Sequence, residues 1–273
     1  MVRRPAVAGM FYPARRDDLE RVVRTFIEGS GMSPDDSVTG LVSPHAGYVY
    51  SGAVAGAAYA SAPDDVETVV VLAPPHRFPV RGASVFDGDG YATPLGEAPV
   101  NRSITEALLK AGYSFQPEAH MSEHSAEVQV PFIQVRWSGV RIAVILQGDS
   151  SPEFSRELAG AVAGSCEHTG RLLVVASSDL SHYHSLRVAR EKDRMMIEAF
   201  KSGDPSRMED AAAAGGEACG KGPIITLMHY AHMKGCSRFG EIRWTTSADA
   251  SGDSSSVVGY FAGYCGDGGG CPS

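Results

Sequence analysis

The sequence predicts an α/β fold: a single domain with a central mixed β-sheet flanked by helices. Three observations carry this reading. Short runs rich in Val, Ile and Leu have the length and composition of buried strands, and helical patterns of about eight to sixteen residues separate them. No low-complexity linker and no fixed-period repeat divides the 273 residues.

Taken in chain order, a helix is expected over 17–28, then a strand over 40–43. A helix over 53–61 leads into a strand over 68–73. The stretch 82–96, with Asp87-Gly88-Asp89-Gly90 and Thr93-Pro94, reads as an irregular excursion or hairpin. Helices follow over 104–111 and 126–137, a strand over 141–146, a helix over 153–163 and a strand over 172–176. Helices over 186–201 and 224–234 and strands over 241–245 and 257–264 complete the pattern. Residues 1–264 are read as the domain, and 265–273 as a flexible, Gly-rich C-terminal tail.

Hydrophobic residues make up 43% of the chain, enough for a sizeable core. A formal net charge of −8 gives no electrostatic reason to expect nucleic acid or an anionic membrane as partner. No apolar run is long enough to span a bilayer. The Arg3-Arg4 start is broken by Pro5, Gly9 and Pro13, so it reads as mature protein and not as a signal peptide. Cysteines at 166, 219, 236, 265 and 271 are odd in number and scattered, a poor disulfide framework that fits a reducing, cytoplasmic compartment. Cys265 and Cys271 lie close in sequence, but nothing demands a bridge between them.

Polar segments interrupt the pattern directly after strand-like runs. Leu41-Val42-Ser43 runs into Pro44-His45, Val69–Ala73 into Pro74-Pro75-His76, and Leu172–Ala176 into Ser177-Ser178-Asp179-Leu180-Ser181-His182. Ligands of open α/β sheets bind beyond the carboxyl ends of the strands, so three strands each delivering a histidine there is a convergent pattern. Pro44 and Pro75 end strand pairing and fix φ just before each histidine. His45 and His76 are about one β-α-β unit apart, a spacing that allows neighbouring strands. The plainer alternative is a polar residue at each strand end.

Cys219 stands just before an apolar helix, where the helix dipole and Lys221 would favour its thiolate; a small buried residue is the commoner fate of a free cysteine. The spacing of Asp179 and His182 lets the carboxylate orient the imidazole or a neighbour, and a near-neutral imidazole can act as acid or base. Alternatively Ser178 or Asp179 caps the following helix. Glu123-His124-Ser125-Ala126-Glu127 resembles a helix start, which accounts for Ser125 and the acidic residues but not for His124. His229 and His232 fit core or surface roles on an apolar helix, and His120 and His168 have no supporting context.

These blocks together resemble the Memo family, whose prokaryotic branch is often called AmmeMemoRadiSam system protein B. The matching segments run from Arg4-Pro5-Ala6-Val7-Ala8-Gly9-Met10-Phe11-Tyr12-Pro13 to Gly259-Tyr260-Phe261-Ala262. Between them lie Pro44–Tyr48, Glu123–Phe132, Ser177–Tyr183 and Ala218-Cys219-Gly220. The resemblance implies a fold similar to the class III extradiol dioxygenases (LigB-like), with a cleft at one sheet edge. It implies metal ligation by His45, His76 and Cys219 and an acid/base role for His182, and Asp179 and His124 are expected beside it as further catalytic residues of the cleft. Here Ala73-Pro74-Pro75 precedes His76, where the family more often has Gly-Pro-Asn or Gly-Pro-Ser.

The resemblance implies Fe(II) first, and cysteine in place of the dioxygenases' glutamate makes a softer donor set that would also accept Cu or Zn. The implied function is a non-haem iron or copper dependent redox, dioxygenase-like enzyme acting on a small molecule or peptide. The alternatives are a non-catalytic peptide or partner module and a metal-handling protein using the same cleft. AMMECR1-like and radical SAM proteins are the implied partners, with no nucleic acid and no membrane.

Overall fold

Each of the six apolar runs becomes a strand of one eight-stranded sheet in the computed structural model, which describes residues 1–166 and 170–268. The chain opens with β1 (Val2–Arg3), α1 (Arg16–Glu28), β2 (Val38–Ser43), α2 (Tyr48–Ser61) and β3 (Thr68–Ala73). Short elements follow: β4 (Ala83–Val85), β5 (Gly90–Thr93), β6 (Gly96–Pro99), α3 (Arg102–Lys110), α4 (Pro117–Met121), a 3-10 turn (Glu127–Gln129) and α5 (Val130–Arg136). Next come β7 (Arg141–Gln147), α6 (Pro152–Ser165), β8 (Leu172–Ser177), β9 (Asp179–His184), α7 (Leu186–Lys201) and α8 (Pro205–Ala213). The chain ends with α9 (Lys221–Met233), β10 (Arg238–Thr246), α10 (Ala248–Ser251) and β11 (Val257–Gly266).

The large sheet has the order β10-β11-β2-β8-β3-β7-β4, and β9 pairs with β11 beside that path. Its centre, β2-β8-β3-β7, is parallel, and the flanking pairs are antiparallel. Buried on both faces, these central strands need no polar alternation, so they read as continuous apolar runs. Successive side chains still point to opposite sides. Val69 and Val71 face a core built with Leu19, Tyr59 and Phe132 from α1, α2 and α5. Val70 and Leu72 face a second core with Leu158, Phe200 and Ile225 from α6, α7 and α9.

Several expectations change. β8 lies between β2 and β3, so the strands bearing His45 and His76 are not neighbours. Segment 179–184 is strand β9 and does not cap a helix; α7 starts later, with Ser185 at its N-cap position. The excursion at 82–96 supplies β4 to the large sheet and, with β1 and β6, forms a separate three-stranded sheet. The helix expected over 126–137 is a 3-10 turn followed by α5, which has Pro131 in its first turn. Strand β11 carries Cys265, fully buried, and Gly266, so the domain continues past 264. Cys271 and His168 lie outside the described residues. Among the described residues no helix is long and apolar enough to cross a membrane.

Candidate metal centre

The carboxyl ends of β2, β8 and β3 meet one another through their backbones. The Ser178 amide donates to the Ser43 carbonyl at 2.9 Å, fastening the turn after β8 to the turn after β2. His45 follows Pro44 into a buried position, and its amide donates to Asp179 Oδ1 at 2.8 Å. Gly220, at the N-cap of α9, completes the assembly from the other side. A Cβ there would stand 2.3 Å from the Ser177 carbonyl, so a side chain would push Cys219 away from β8. As folded, Cys219 Sγ accepts the Asp179 amide at 3.3 Å and lies 3.2 Å from His45 Nε2.

The hydrogen-bond network settles which nitrogen of His45 carries its proton. Ser177 Oγ lies 2.8 Å from His45 Nδ1 and donates its single hydrogen to the Ser125 carbonyl at 2.7 Å. It also accepts from Gln129 Nε2 at 2.9 Å, while Gln129 Oε1 accepts from Tyr59. A hydroxyl already donating elsewhere can only accept from the imidazole, so Nδ1 is protonated and Nε2 presents its lone pair toward Cys219.

His76 is fixed in the same sense by a different group. Glu123, buried, accepts the His76 and Arg77 amides on Oε2. Its Oε1 accepts the His124 and Ser125 amides, each at 2.9 Å, and lies 3.1 Å from His76 Nδ1. Burial alone would push this carboxyl up; the bonds from the His76 side chain and amide and from Ser125 outweigh it and hold the group far below the usual carboxylate range. The ionised Glu123 therefore takes the proton side of His76, leaving Nε2 free.

One ligand atom each from His45, His76 and Cys219 lies within 4.8 Å of the others. His76, Glu123 and His124 also meet that distance, but both Glu123 oxygens are occupied by N–H donors, so this carboxylate orients its neighbours instead of ligating. The first set fits a metal ion well: two imidazoles with Nδ1–H donated outward, and a sulfur on their free side. Burial and then the Asp179 carboxylate push the Cys219 thiol up, and Lys221 is turned away, 2.7 Å from Glu209. The thiolate expected from the helix end and Lys221 is thus not favoured by the protein alone; a nearby dication would reverse that balance.

The remaining predicted residues surround this set. Asp179 is buried, and its carboxylate takes the His45 amide; it does not reach the His182 ring expected from their spacing. Burial pushes its pKa up to about 7, against hydrogen bonds from His45 and Ala46. His124 packs its ring 4.9 Å from His76 and 5.6 Å from His45, with Phe11 at 4.9 Å. Its Nδ1 is 3.3 Å from Glu123 Oε1 without hydrogen-bond geometry, and burial lowers its pKa to about 4. His182 shares a cleft of about 390 Å³ with Cys219, Leu180 and Glu217. Burial, then the His76 imidazole, hold it below the ordinary histidine value.

Ser177, Gln129 and Glu123 were not singled out from the sequence. Glu123 alone carried a signal, an acidic residue directly before a histidine that the helix-start reading left unexplained. A family model described as Memo-like protein matches residues 3–264. Similar chains include a MEMO1 family protein of Thermotoga petrophila, 36% identical over 277 residues that cover 96% of this chain and 99% of the relative. One from Methanosarcina barkeri is 37% identical over 264 residues, covering 96% and 98%. Another, from Methanothermobacter thermautotrophicus, is 34% identical over 273 residues, covering 95% and 99%. By these matches along nearly its whole length, the chain belongs to the Memo-like protein family.

Proposed function

We propose that the protein is a metal-dependent oxidoreductase, related in its chemistry to the class III extradiol dioxygenases, with Fe(II) or copper held by His45, His76 and Cys219. The observation that carries this reading is the pair of fixed tautomers: Ser177 and Glu123 take the Nδ1 protons and leave both Nε2 lone pairs free, that of His45 toward Cys219. A metal so held would supply redox chemistry and Lewis acidity at the cleft. His182, kept neutral by burial, is positioned to take a proton from a bound small molecule or peptide. Asp179 holds the His45 loop through its amide, and His124 walls the histidine side of the site.

A partner-binding module is the second reading, favoured by the exposed side chains of Val49, Tyr50 and Tyr183, which flank the His45 and His182 segments. An AMMECR1-like or radical SAM protein would be the partner tested. Metal handling without turnover would use the same three donors. Anaerobic metal analysis of the protein and its Cys219→Ala variant, then oxygen uptake after Fe(II) loading, separates these readings. Stoichiometric iron that is lost in the variant, with oxygen consumed, supports the enzyme. Bound metal without oxygen chemistry supports handling or partner binding, and no metal after reconstitution overturns the proposal.

A further inference from the structure

Strand β9 carries Asp179 and His182, yet it is the least regular strand of the large sheet. Its ladder with β11 pairs His184 with Val257, His182 with Val258 and Asp179 with Tyr260, shifting register at each step. Between His182 and His184 the extra residue is Tyr183, exposed and at φ +62°, a left-handed conformation that bulky side chains rarely adopt. Bulges of this kind re-aim a neighbouring side chain and are paid for by contacts elsewhere. Ser181, inside the irregular stretch, must place its buried amide somewhere other than a regular ladder.

That amide donates to Asp193 Oδ1 at 3.0 Å. Asp193 comes from the middle of α7 and is fully buried, and among the described residues no cation pairs with it. Its other oxygen accepts the Trp244 indole N–H of β10 at 2.9 Å. On β11, Gly259 leaves the space the carboxylate fills, since a Cβ there would lie 2.0 Å from Oδ2. Three elements thus converge on a carboxylate that no cation among the described residues pairs with, and one of them meets it through Ser181, the residue before His182. Burying it is costly, and the two N–H bonds it accepts offset that cost only in part.

We infer that Asp193 is a positioning residue: through the Ser181 amide it locks the bulged strand in the register that turns His182 into the cleft. The inference rests on the proposed role of His182. It is tested without metal or turnover, so its failure is distinguishable from failure of that role. Asp193→Asn offers one acceptor where two N–H donors need one each. Trp244→Phe removes the second donor, so the double variant can again satisfy Ser181.

The test follows the His182 imidazole C–H resonances by NMR, with hydrogen exchange of residues 179–184 in the full-length metal-free protein. Asp193→Asn is expected to shift the His182 resonances and to speed exchange at 179–184 about ten- to a hundredfold, leaving β3 and β8 unchanged. Adding Trp244→Phe is expected to restore both toward the Trp244→Phe single variant. His182 resonances unmoved by Asp193→Asn, or no recovery in the double variant, would overturn the inference. So would exchange rising equally in β3 and β8, which marks a role in overall stability only.

Discussion

Replacing Glu123 by Gln tests the geometry of the metal centre most directly, because the change is isosteric and its cost can be worked out. The carboxylate accepts five N–H groups: three on Oε1, from His76 Nδ1 and the His124 and Ser125 amides, and two on Oε2, from the His76 and Arg77 amides. A glutamine keeps one carbonyl oxygen. Its better orientation retains the Oε1 set and turns the amide NH₂ against the two donors on Oε2. Two buried donors without partners cost about 1–3 kcal/mol each, or roughly 2–6 kcal/mol together.

For a domain of this size that corresponds to a fall in Tm of about 4–12 °C, at roughly 2 °C per kcal/mol. The retained bond to His76 Nδ1 becomes neutral and weaker, so the imidazole is a poorer donor. Zn(II) or Co(II) affinity is then expected to fall about 10–100-fold. Calorimetry and metal titration of both proteins read the two effects. A Tm within 2 °C of the parent together with unchanged affinity would refute the account of Glu123 as the group that fixes His76.

Ser177→Ala removes the acceptor of His45 Nδ1 and of Gln129 Nε2, and should lower metal affinity by about tenfold or more, measured by the same titration. Arg3→Met leaves Glu127 buried without its cation and should cost about 3–5 kcal/mol in urea denaturation. His120, enclosed by Ser84 and Tyr91, is held by burial at a pKa of about 3 against an ordinary 6.5. Because the folded value is depressed, the unfolded chain takes up the proton first, and stability falls as pH drops from 6.5 toward 3. This one group should remove about 2 kcal/mol between pH 7 and 5, and His120→Phe should flatten that part of the urea-stability profile.

The parts of the fold that were legible in the sequence are those where burial on both faces dictates composition. Runs such as Thr68–Ala73 could be placed to the residue, because a central parallel strand has no reason to carry polar side chains. Strand β9 was illegible for the converse reason. Asp179-Leu180-Ser181-His182-Tyr183-His184 has no apolar run and is held by an irregular ladder and by Asp193. His45 and His76 stood out because each follows a proline at the end of an apolar run, whereas Cys219 was separated from Cys166 and Cys236 only by the family resemblance. Their supports did not stand out, since Ser177 and Gln129 look like any strand-end or helix-start polar residue until the strand order is known. Lys221 was misleading, as its nearness to Cys219 in sequence hid its pairing with Glu209.

The stretch 123–129 shows where the site's rigidity comes from. Every second residue ties this stretch to another segment of the chain. Glu123 holds the loop after β3, and Ser125 donates to the Pro74 carbonyl and accepts Ser177. Glu127 takes Arg3, the Ala6 and Val7 amides and Tyr12, tying down the N-terminal segment. Gln129 reaches the Pro44 carbonyl and Ser177. None of the four is among the three candidate ligands, yet together they place two of them. Loss of a ligand and loss of a support should therefore look different. Cys219→Ala deletes a sulfur at the cleft wall and should change metal binding while moving Tm little. Glu123→Gln and Ser177→Ala should lower both, because the bonds that set the imidazoles are the same bonds that close the fold around them.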